Sequence, residues 1–428
     1  MKYNSITAKS AVTHHREAVR YTSLTHPTDL SRNAPSLGGA LHFVNTPYRF
    51  KLYHSRRSTS LADNFIQMNK QQLITELQSQ GLKVEDDIGS AGRKGGAGPS
   101  DHKAVTVDRT TVMVPIFTGT AARSPYTVRF EPATKQTLLE LEGEAIAPIT
   151  FPSQPKFYSL TTADGIPYWK IALLHSHEVL ATTVLQTCMR YSDTATSCQF
   201  CAIGQSLEAG RTIARKTPAQ LAEVAEAAVR LDAVKHLVMT TGTPNTSDRG
   251  AAYLAECAKY VKAKVNLPIQ AQCEPPDDFT LFEYLKAAGV DSLGMHLEAV
   301  DAQVRAKIMP GKATVPVEYY FQAFVAAVKI FGWGQVSTYL LAGLGDSLET
   351  LLQTCDRLIQ VGVYPFVVPF VPITGTPLAN YPAPKSEFMF ALYEQVGAML
   401  KRSGMFSTDI KAGCAKCGAC SALSTFEK

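Results

Sequence analysis

The chain has 428 residues, 45% of them hydrophobic and 18% charged, with a formal net charge of +5. That is enough apolar material for two or three domains, and no run nears the ~18 apolar residues of a membrane span or resembles a signal peptide. Residues 1–67 hold nine Lys and Arg against three acids, an excess of +6 that leaves the remainder at −1, so the folded body offers no basic surface to nucleic acid. Nine cysteines are too few and too clustered for a disulfide framework, which fits a reducing cytoplasm.

The basic leader, residues 1–67, is rich in Ser, Thr, His and Arg and shows little periodicity. It reads as a disordered extension or as sequence translated from an early start, with an organelle transit peptide the third reading. A helical pattern begins at Asn69-Lys70. Residues 70–175 then combine that helix with strand-like runs such as Ala104–Ile116 and Tyr126–Phe130 and a Gly-rich turn at Gly95-Gly96-Ala-Gly98-Pro99. This predicts a small α+β domain, with Asp101-His102-Lys103 as surface turn chemistry and a reach into an active site as the second reading.

From residue 176 strands and helices alternate. Strands are predicted at Val179–Thr187, His236–Thr241, Pro268–Cys273, Asp291–Glu298, Gln335–Ala342 and Val363–Phe370. Helices fall at 248–264, 278–288, 301–331 (interrupted by Pro310-Gly311), 346–361 and 385–403; another starts at Thr217-Pro218, N-cap and first turn. Six βα units over 176–404 predict a parallel sheet curled into a partial TIM-like (βα)6 barrel, followed by a Cys-rich tail, 405–428. In such a barrel the loops after the strands carry the chemistry.

The loop after the first strand contains Cys188, Cys198 and Cys201. Three thiols on one loop suit an iron–sulfur cluster or zinc and leave one coordination position open. Gln270, Gln272 and Glu274 alternate with Ile269, Ala271 and Cys273, and His296 and Glu298 alternate with Met295 and Leu297. Period 2 sends one set into the lumen, so these polar residues predict a ligand pocket, with Gln270, Gln272 and Glu274 as substrate candidates. Cys257, Cys273 and Cys355 then read as packed core thiols. Thr241-Gly242-Thr243 and Gly343-Leu-Gly345 leave two strands at the same mouth, where free backbone groups can hold a ligand. Arg305 and Lys312, beside Pro310-Gly311, read as a solvated helix face, with neutralisation of an anionic ligand at the barrel mouth as the second reading. In the tail, Cys414, Cys417 and Cys420 form two successive Cys-x-x-Cys steps, spacing that suits a second iron–sulfur centre better than zinc, with a tail that folds back over the mouth.

Cys198-Gln-Phe200-Cys201 resembles the closing Cys-x-aromatic-Cys of the radical S-adenosylmethionine (radical SAM) superfamily, although nine residues, not the common three, follow the first Cys. The resemblance implies a [4Fe–4S] cluster on Cys188, Cys198 and Cys201, chelated by S-adenosylmethionine. It implies cleavage to a 5′-deoxyadenosyl radical that abstracts hydrogen from a small-molecule substrate, and a one-electron donor such as flavodoxin or ferredoxin. Phe200 would lie by the adenine and Thr241, Gly242 and Thr243 by the methionyl amine. His296 and Glu298 would meet the ribose, and Gly343 and Gly345 the adenine.

A closer likeness covers residues 68–428. Gly98-Pro-Ser-Asp-His-Lys, Gln199-Phe-Cys-Ala-Ile-Gly-Gln-Ser, Gln272-Cys-Glu-Pro-Pro-Asp-Asp and Ala412-Gly-Cys-Ala-Lys-Cys-Gly-Ala-Cys resemble a bacterial radical SAM family found beside nitrilase-type genes. That likeness implies no particular substrate. Two other classes use the same motifs: a non-catalytic iron–sulfur carrier or sensor, and a zinc-dependent TIM-barrel hydrolase built on His296 and Glu298.

Overall fold

Two sheets organise the computed structural model, which describes residues 69–84 and 101–428. The basic leader and the Gly-rich turn at 95–100 lie outside the described residues. Helix α1 (Lys70–Gln80) starts at Asn69, whose side chain accepts from the Gln71 N–H at 2.9 Å. Strands β1 (His102–Val107), β2 (Thr110–Pro115), β3 (Tyr126–Glu131), β4 (Gln136–Leu141) and β5 (Glu144–Thr150) form an antiparallel sheet in the order β2-β1-β5-β4-β3. The run 104–116, expected as one stretch, is a hairpin. Asp108 and Arg109 both take positive φ (43° and 60°) and reverse the chain in two residues. Val105, Val112 and Val114 then join Leu73, Ile74 and Leu77 of α1 in the core.

The short helix α2 (Tyr168–Ile171) leads into β6 (Leu173–His175), which runs antiparallel to β7 (Val179–Thr183). Helix α3 (Gln205–Glu208) lies in the cysteine loop, and α4 (Pro218–Asp232) begins with a capping box between Thr217 and Gln220 (2.8 and 3.2 Å) and Pro218 in the first turn. The alternation continues through β8 (His236–Thr240), α5 (Ala251–Lys264), β9 (Ile269–Gln272), α6 (Thr280–Ala287) and β10 (Ser292–Gly294). Then come α7 (Ala302–Ile308), α8 (Pro310–Ala313), α9 (Val317–Phe331), β11 (Val336–Ala342), α10 (Leu348–Gln360), β12 (Val363–Pro369) and α11 (Ser386–Ser403), with α12 (Cys414–Cys417) in the tail. Strands β7 to β12 are parallel neighbours in chain order, and the open sheet β12-β11-β10-β9-β8-β7-β6 curls into the expected partial barrel.

One predicted strand is much shorter than its sequence pattern. Residues 291–298 pair only over Ser292–Gly294, because Glu298 takes a left-handed backbone (φ 68°) and the Leu297 N–H turns to the Thr338 hydroxyl at 2.9 Å. Glu298 rejoins the sheet through a single bridge to Leu340. The alternation nevertheless survives: Met295 and Leu297 are fully buried under the helices, whereas His296 and Glu298 are half-buried on the other face.

Candidate active site

Backbone contacts clamp the cysteine loop at both ends. The Gly242 N–H donates to Leu185 O (2.9 Å) and the Met189 N–H to Thr243 O (2.9 Å), so Cys188 lies against Thr241-Gly242-Thr243. No larger residue fits at Gly242, where a Cβ would stand 2.1 Å from Thr187 O. At the far end the Gln199 N–H donates to Ile308 O (2.8 Å) and the Gly311 N–H to Thr196 O (3.0 Å), tying the loop to α7 and α8. Cys198 and Phe200 pack on an apolar wall of Ala299, Ile308, Met309, Leu344 and Phe370.

Burial pushes the Cys198 thiol well up, with Glu298 adding to it, and raises Cys201 to about 12. Loading a metal on these thiols therefore releases protons. Lys312 opposes the shift at both positions. Three thiols, one apolar wall and a buried cation fit a thiolate-held iron–sulfur cluster.

Arg305 and Lys312, expected on a solvated face, are both buried. The Arg305 guanidinium donates to four carbonyls, those of Leu297, Ala299, Lys312 and Val315, at 2.9–3.3 Å, and so fixes the chain after β10. Lys312 Nζ donates to Glu298 Oε2 at 2.7 Å. Burial works against the Lys312 charge, but Glu298 and Glu274 outweigh it and hold the ammonium above its ordinary value. Glu274 accepts from Thr243 (2.5 Å) and pairs with Arg190 of the cysteine loop and with Arg249 (3.4 Å). Burial opposes its charge as well, yet Lys312 and Arg190 keep the carboxyl below the usual range. Arg190 and Arg249 escaped sequence reading, because Glu274 lies 84 and 25 residues along the chain from them.

His296 stacks edge-on against Tyr339, ring centroids 4.3 Å apart, and its Nδ1 accepts from the Tyr339 N–H at 3.4 Å. Burial, with Lys312 second, lowers its imidazole to about 3, so the ring is neutral. The proton then sits on Nε2. Gly343 and Gly345 both have positive φ (106° and 134°), and a Cβ on either would stand 3.0 Å from Pro384 or Val304. The next residue, Asp346, accepts from the N–H groups of Val300 and Asp301 (2.9 and 2.7 Å), joining the loops after β10 and β11.

Gln270 and Gln272 are buried, and both meet the tail. Gln270 Oε1 accepts from the Cys414 N–H (3.2 Å) and from Gln272 Nε2 (2.7 Å), and Gln272 Nε2 also reaches Cys414 Sγ at 3.3 Å. The tail enters from the end opposite to the one expected. Lys411, Ala412 and Gly413 donate backbone N–H groups to Gln335, Ser292 and His236, which stand at or just before the starts of β11, β10 and β8. The tail closes the bottom of the barrel, not its mouth.

It also bridges the two edges of the open sheet. The Ser421 hydroxyl donates to Val367 O on β12 (2.5 Å), and Cys420 Sγ lies 3.4 Å from His175 Nε2 on β6. Across this seam the Met113 N–H of β2 donates to Ala419 O at 2.7 Å. Asp101-His102-Lys103, expected as a surface turn, is buried, and Asp101 Oδ2 accepts from the Thr374 N–H at 3.1 Å in the loop after β12. The sequence holds no local signal for either contact.

Burial raises Cys414, Cys417 and Cys420, Cys417 to about 12. Tyr339 and Gln272 hydrogen-bond Cys414, and Ser176 hydrogen-bonds Cys417. Among the described residues no three His, Cys, Asp or Glu side chains converge as a single-ion site. A cluster does not require that, because its thiolates bind separate irons. Cys257, Cys273 and Cys355 are buried in the core. No described helix is long and apolar enough to cross a membrane.

Residues 191–358 match the family model of the Radical SAM superfamily. Those residues are thus similar to the domain shared by the enzymes of that superfamily. Cys198, Cys201 and the mouth residues from Thr241 to Gly345 fall inside the match; Cys188 stands just before it and the tail beyond it. Among curated proteins, the chain is 30% identical over 228 residues to bacteriochlorophyllide c C-7(1)-hydroxylase of Chlorobaculum limnaeum, covering 48% of this chain and 56% of that protein. It is 28% identical over 184 residues to the mitochondrial lipoyl synthase of Clavispora lusitaniae, covering 41% and 44%. The chain thus spans about half the length of the curated relatives it matches. Solved structures similar to it include methylornithine synthase (TM-score 0.42, 16% identity, 57% of this chain and 69% of that one). Another is a radical SAM methyltransferase from Sphaerobacter thermophilus (0.40, 15%, 70% and 81%).

Proposed function

We propose that this protein is a radical SAM enzyme that cleaves S-adenosylmethionine reductively and abstracts hydrogen from a small organic substrate. What supports the reading is the loop that carries Cys188, Cys198 and Cys201 after the first strand of a six-stranded parallel half-barrel, held by backbone hydrogen bonds at both ends, with Cys198 and Cys201 inside the superfamily match. In this reading those thiolates hold a [4Fe–4S] cluster, which supplies one-electron cleavage of the bound sulfonium to a 5′-deoxyadenosyl radical.

The chain's own residues orient the cosubstrate and keep water out. Phe200 and the wall beneath it offer the adenine an apolar face. Thr241, Gly242 and Thr243 present hydroxyl and backbone groups to the methionyl end. His296 Nε2–H and Glu298 serve as donor and acceptor for the ribose, and Gly343 and Gly345 let the purine approach backbone. Glu274, held ionised by Lys312 and Arg190, stands on the substrate side. Gln270 and Gln272 serve the tail instead, where Cys414, Cys417 and Cys420 hold a second iron–sulfur centre. A flavodoxin or ferredoxin supplies the electron, and the four motif stretches support membership of the nitrilase-associated branch.

Anaerobic reconstitution with iron and sulfide tests this reading. The parent should bind about eight irons and form 5′-deoxyadenosine with dithionite and S-adenosylmethionine; the variant with Cys188, Cys198 and Cys201 all replaced by Ala should keep about four irons and form none. A well-folded parent that binds little iron and yields no nucleoside would sink the proposal. About four irons with full nucleoside formation would retain the radical enzyme and remove the tail centre.

A further inference from the structure

The two Cys-x-x-Cys steps in the tail supply three thiolates, and a four-iron cluster held by three leaves one iron without a protein ligand. The sequence offers no fourth donor near residue 420. The fold brings one from 245 residues upstream. His175 ends β6, the antiparallel edge strand, and its Nε2 lies 3.4 Å from Cys420 Sγ. The neighbouring Ser176 is buried and hydrogen-bonds Cys417, so one turn of chain meets two of the three thiols.

The groups that hydrogen-bond these thiols are the Tyr339 hydroxyl, the Gln272 amide, the Ser176 hydroxyl and the His175 imidazole. Of these, imidazole is the ordinary iron ligand. The contact is also well placed for exchange. The nitrogen that meets the Cys420 thiol stands at the edge of the three-thiol group, a short side-chain movement from a separate iron, and a neutral imidazole binds iron through its lone pair.

We infer that His175 Nε2 is the fourth protein ligand of the tail iron–sulfur centre, which makes that centre a closed Cys3His site. The inference rests on the proposed tail cluster and goes beyond it in function. A centre with an open iron can bind substrate or a substrate radical, whereas a fully ligated one passes electrons. The surroundings agree with the second role. Ala104 and Met113 cover Cys417 and Cys420 from the neighbouring sheet, and the tail itself seals the barrel around them.

The test uses the full chain with Cys188, Cys198 and Cys201 replaced by Ala, so that any cluster sits in the tail, in three forms: otherwise unchanged, with His175→Ala and with His175→Cys. After anaerobic reconstitution, iron and sulfide are counted and the reduced centre is examined by pulsed EPR for nitrogen hyperfine coupling. The expected result is about four irons with the strong coupling of a directly bound imidazole, lost in both His175 variants. His175→Cys should keep its four irons and show a lower midpoint potential, since thiolate in place of imidazole lowers it. Four irons with no nitrogen coupling, with only the weak coupling of a hydrogen-bonded nitrogen, or with strong coupling that survives His175→Ala, would overturn the ligand and leave the tail cluster standing. No iron in the unchanged form would overturn the tail cluster itself.

Discussion

Replacing Lys312 by Met tests the buried charges at the barrel mouth. Its Nζ lies 2.7 Å from Glu298 Oε2, with the two side chains only 8% and 16% exposed. At that separation an effective dielectric of ~20 gives about 6 kcal/mol of attraction, offset in the native pair by the desolvation of both ions. Without Lys312, Glu298 stays buried beside Cys198 with its cation gone, whereas Glu274 keeps Arg190 and Arg249. Removing one partner of such a pair costs about 3–5 kcal/mol, while removing both charges is close to neutral. Urea denaturation of the metal-free protein should therefore show K312M less stable by about that amount. The double variant K312M/E298Q should recover most of the loss. A single variant within about 0.5 kcal/mol of the parent, or a double variant with strictly additive losses, would refute the reasoning.

Three further outcomes follow from the same contacts. Gly242→Ala forces a Cβ to within 2.1 Å of Thr187 O; it should destabilise by about 1–3 kcal/mol and cut the iron bound at the mouth while sparing the tail, checked by denaturation and by iron counts in single-site backgrounds. Burial lowers His236 from 6.5 to about 4, so between those values the unfolded chain binds more protons than the folded one. Stability that is full above pH 6.5 should then fall by up to about 1.4 kcal/mol per unit as the pH drops towards 4, and His236→Gln should flatten the urea-midpoint profile. Replacing Cys414, Cys417 and Cys420 together by Ser should leave the unfolding free energy from urea denaturation within about 1 kcal/mol of the parent, since the seam is held by backbone and Ser421 contacts. A collapse of the fold would show that the thiols themselves hold it.

The barrel was legible because its signals are local. Thr217-Pro218 announces α4, Pro310 breaks the long helical run, and alternation around Gln272 and His296 sets which side chains face the lumen. Two failures were failures of local pattern. A strand-like run from 104 to 116 hides a hairpin whose reversal needs only Asp108 and Arg109, neither of them glycine. Residues 295–298 alternate like a strand although, past Met295, their partners are the Thr338 hydroxyl and a single bridge. The other failures were long-range. Lys312 reads as solvent-facing until Glu298 and Glu274 are placed around it, and His175 carries no sign of the tail it meets.

The tail gives the half-barrel what its topology lacks. A closed eight-stranded barrel fills its own lumen with side chains and exposes no edge. Six parallel strands and one antiparallel one leave a lateral gap between β6 and β12 and an open floor. The proposed radical reaction would need both closed, because water and stray hydrogen donors compete with a substrate for a reactive intermediate. Residues 411–413 cover the floor by bonding to the starts of three strands, and Cys420 and Ser421 reach the two edges. The closure also fixes the geometry between the two thiol groups. Gln272, the last residue of β9, touches Cys414, and two residues further, in the loop after that strand, Glu274 meets Arg190 of the cysteine loop. Tyr339 fills the space between, its hydroxyl on Cys414 and its ring against His296. A segment that only sealed the floor could do so with residues 411–413 alone, whereas Cys414 reaches further, to Gln270 and Gln272 of β9, and Cys420 reaches β6, which is where the proposed tail centre needs them.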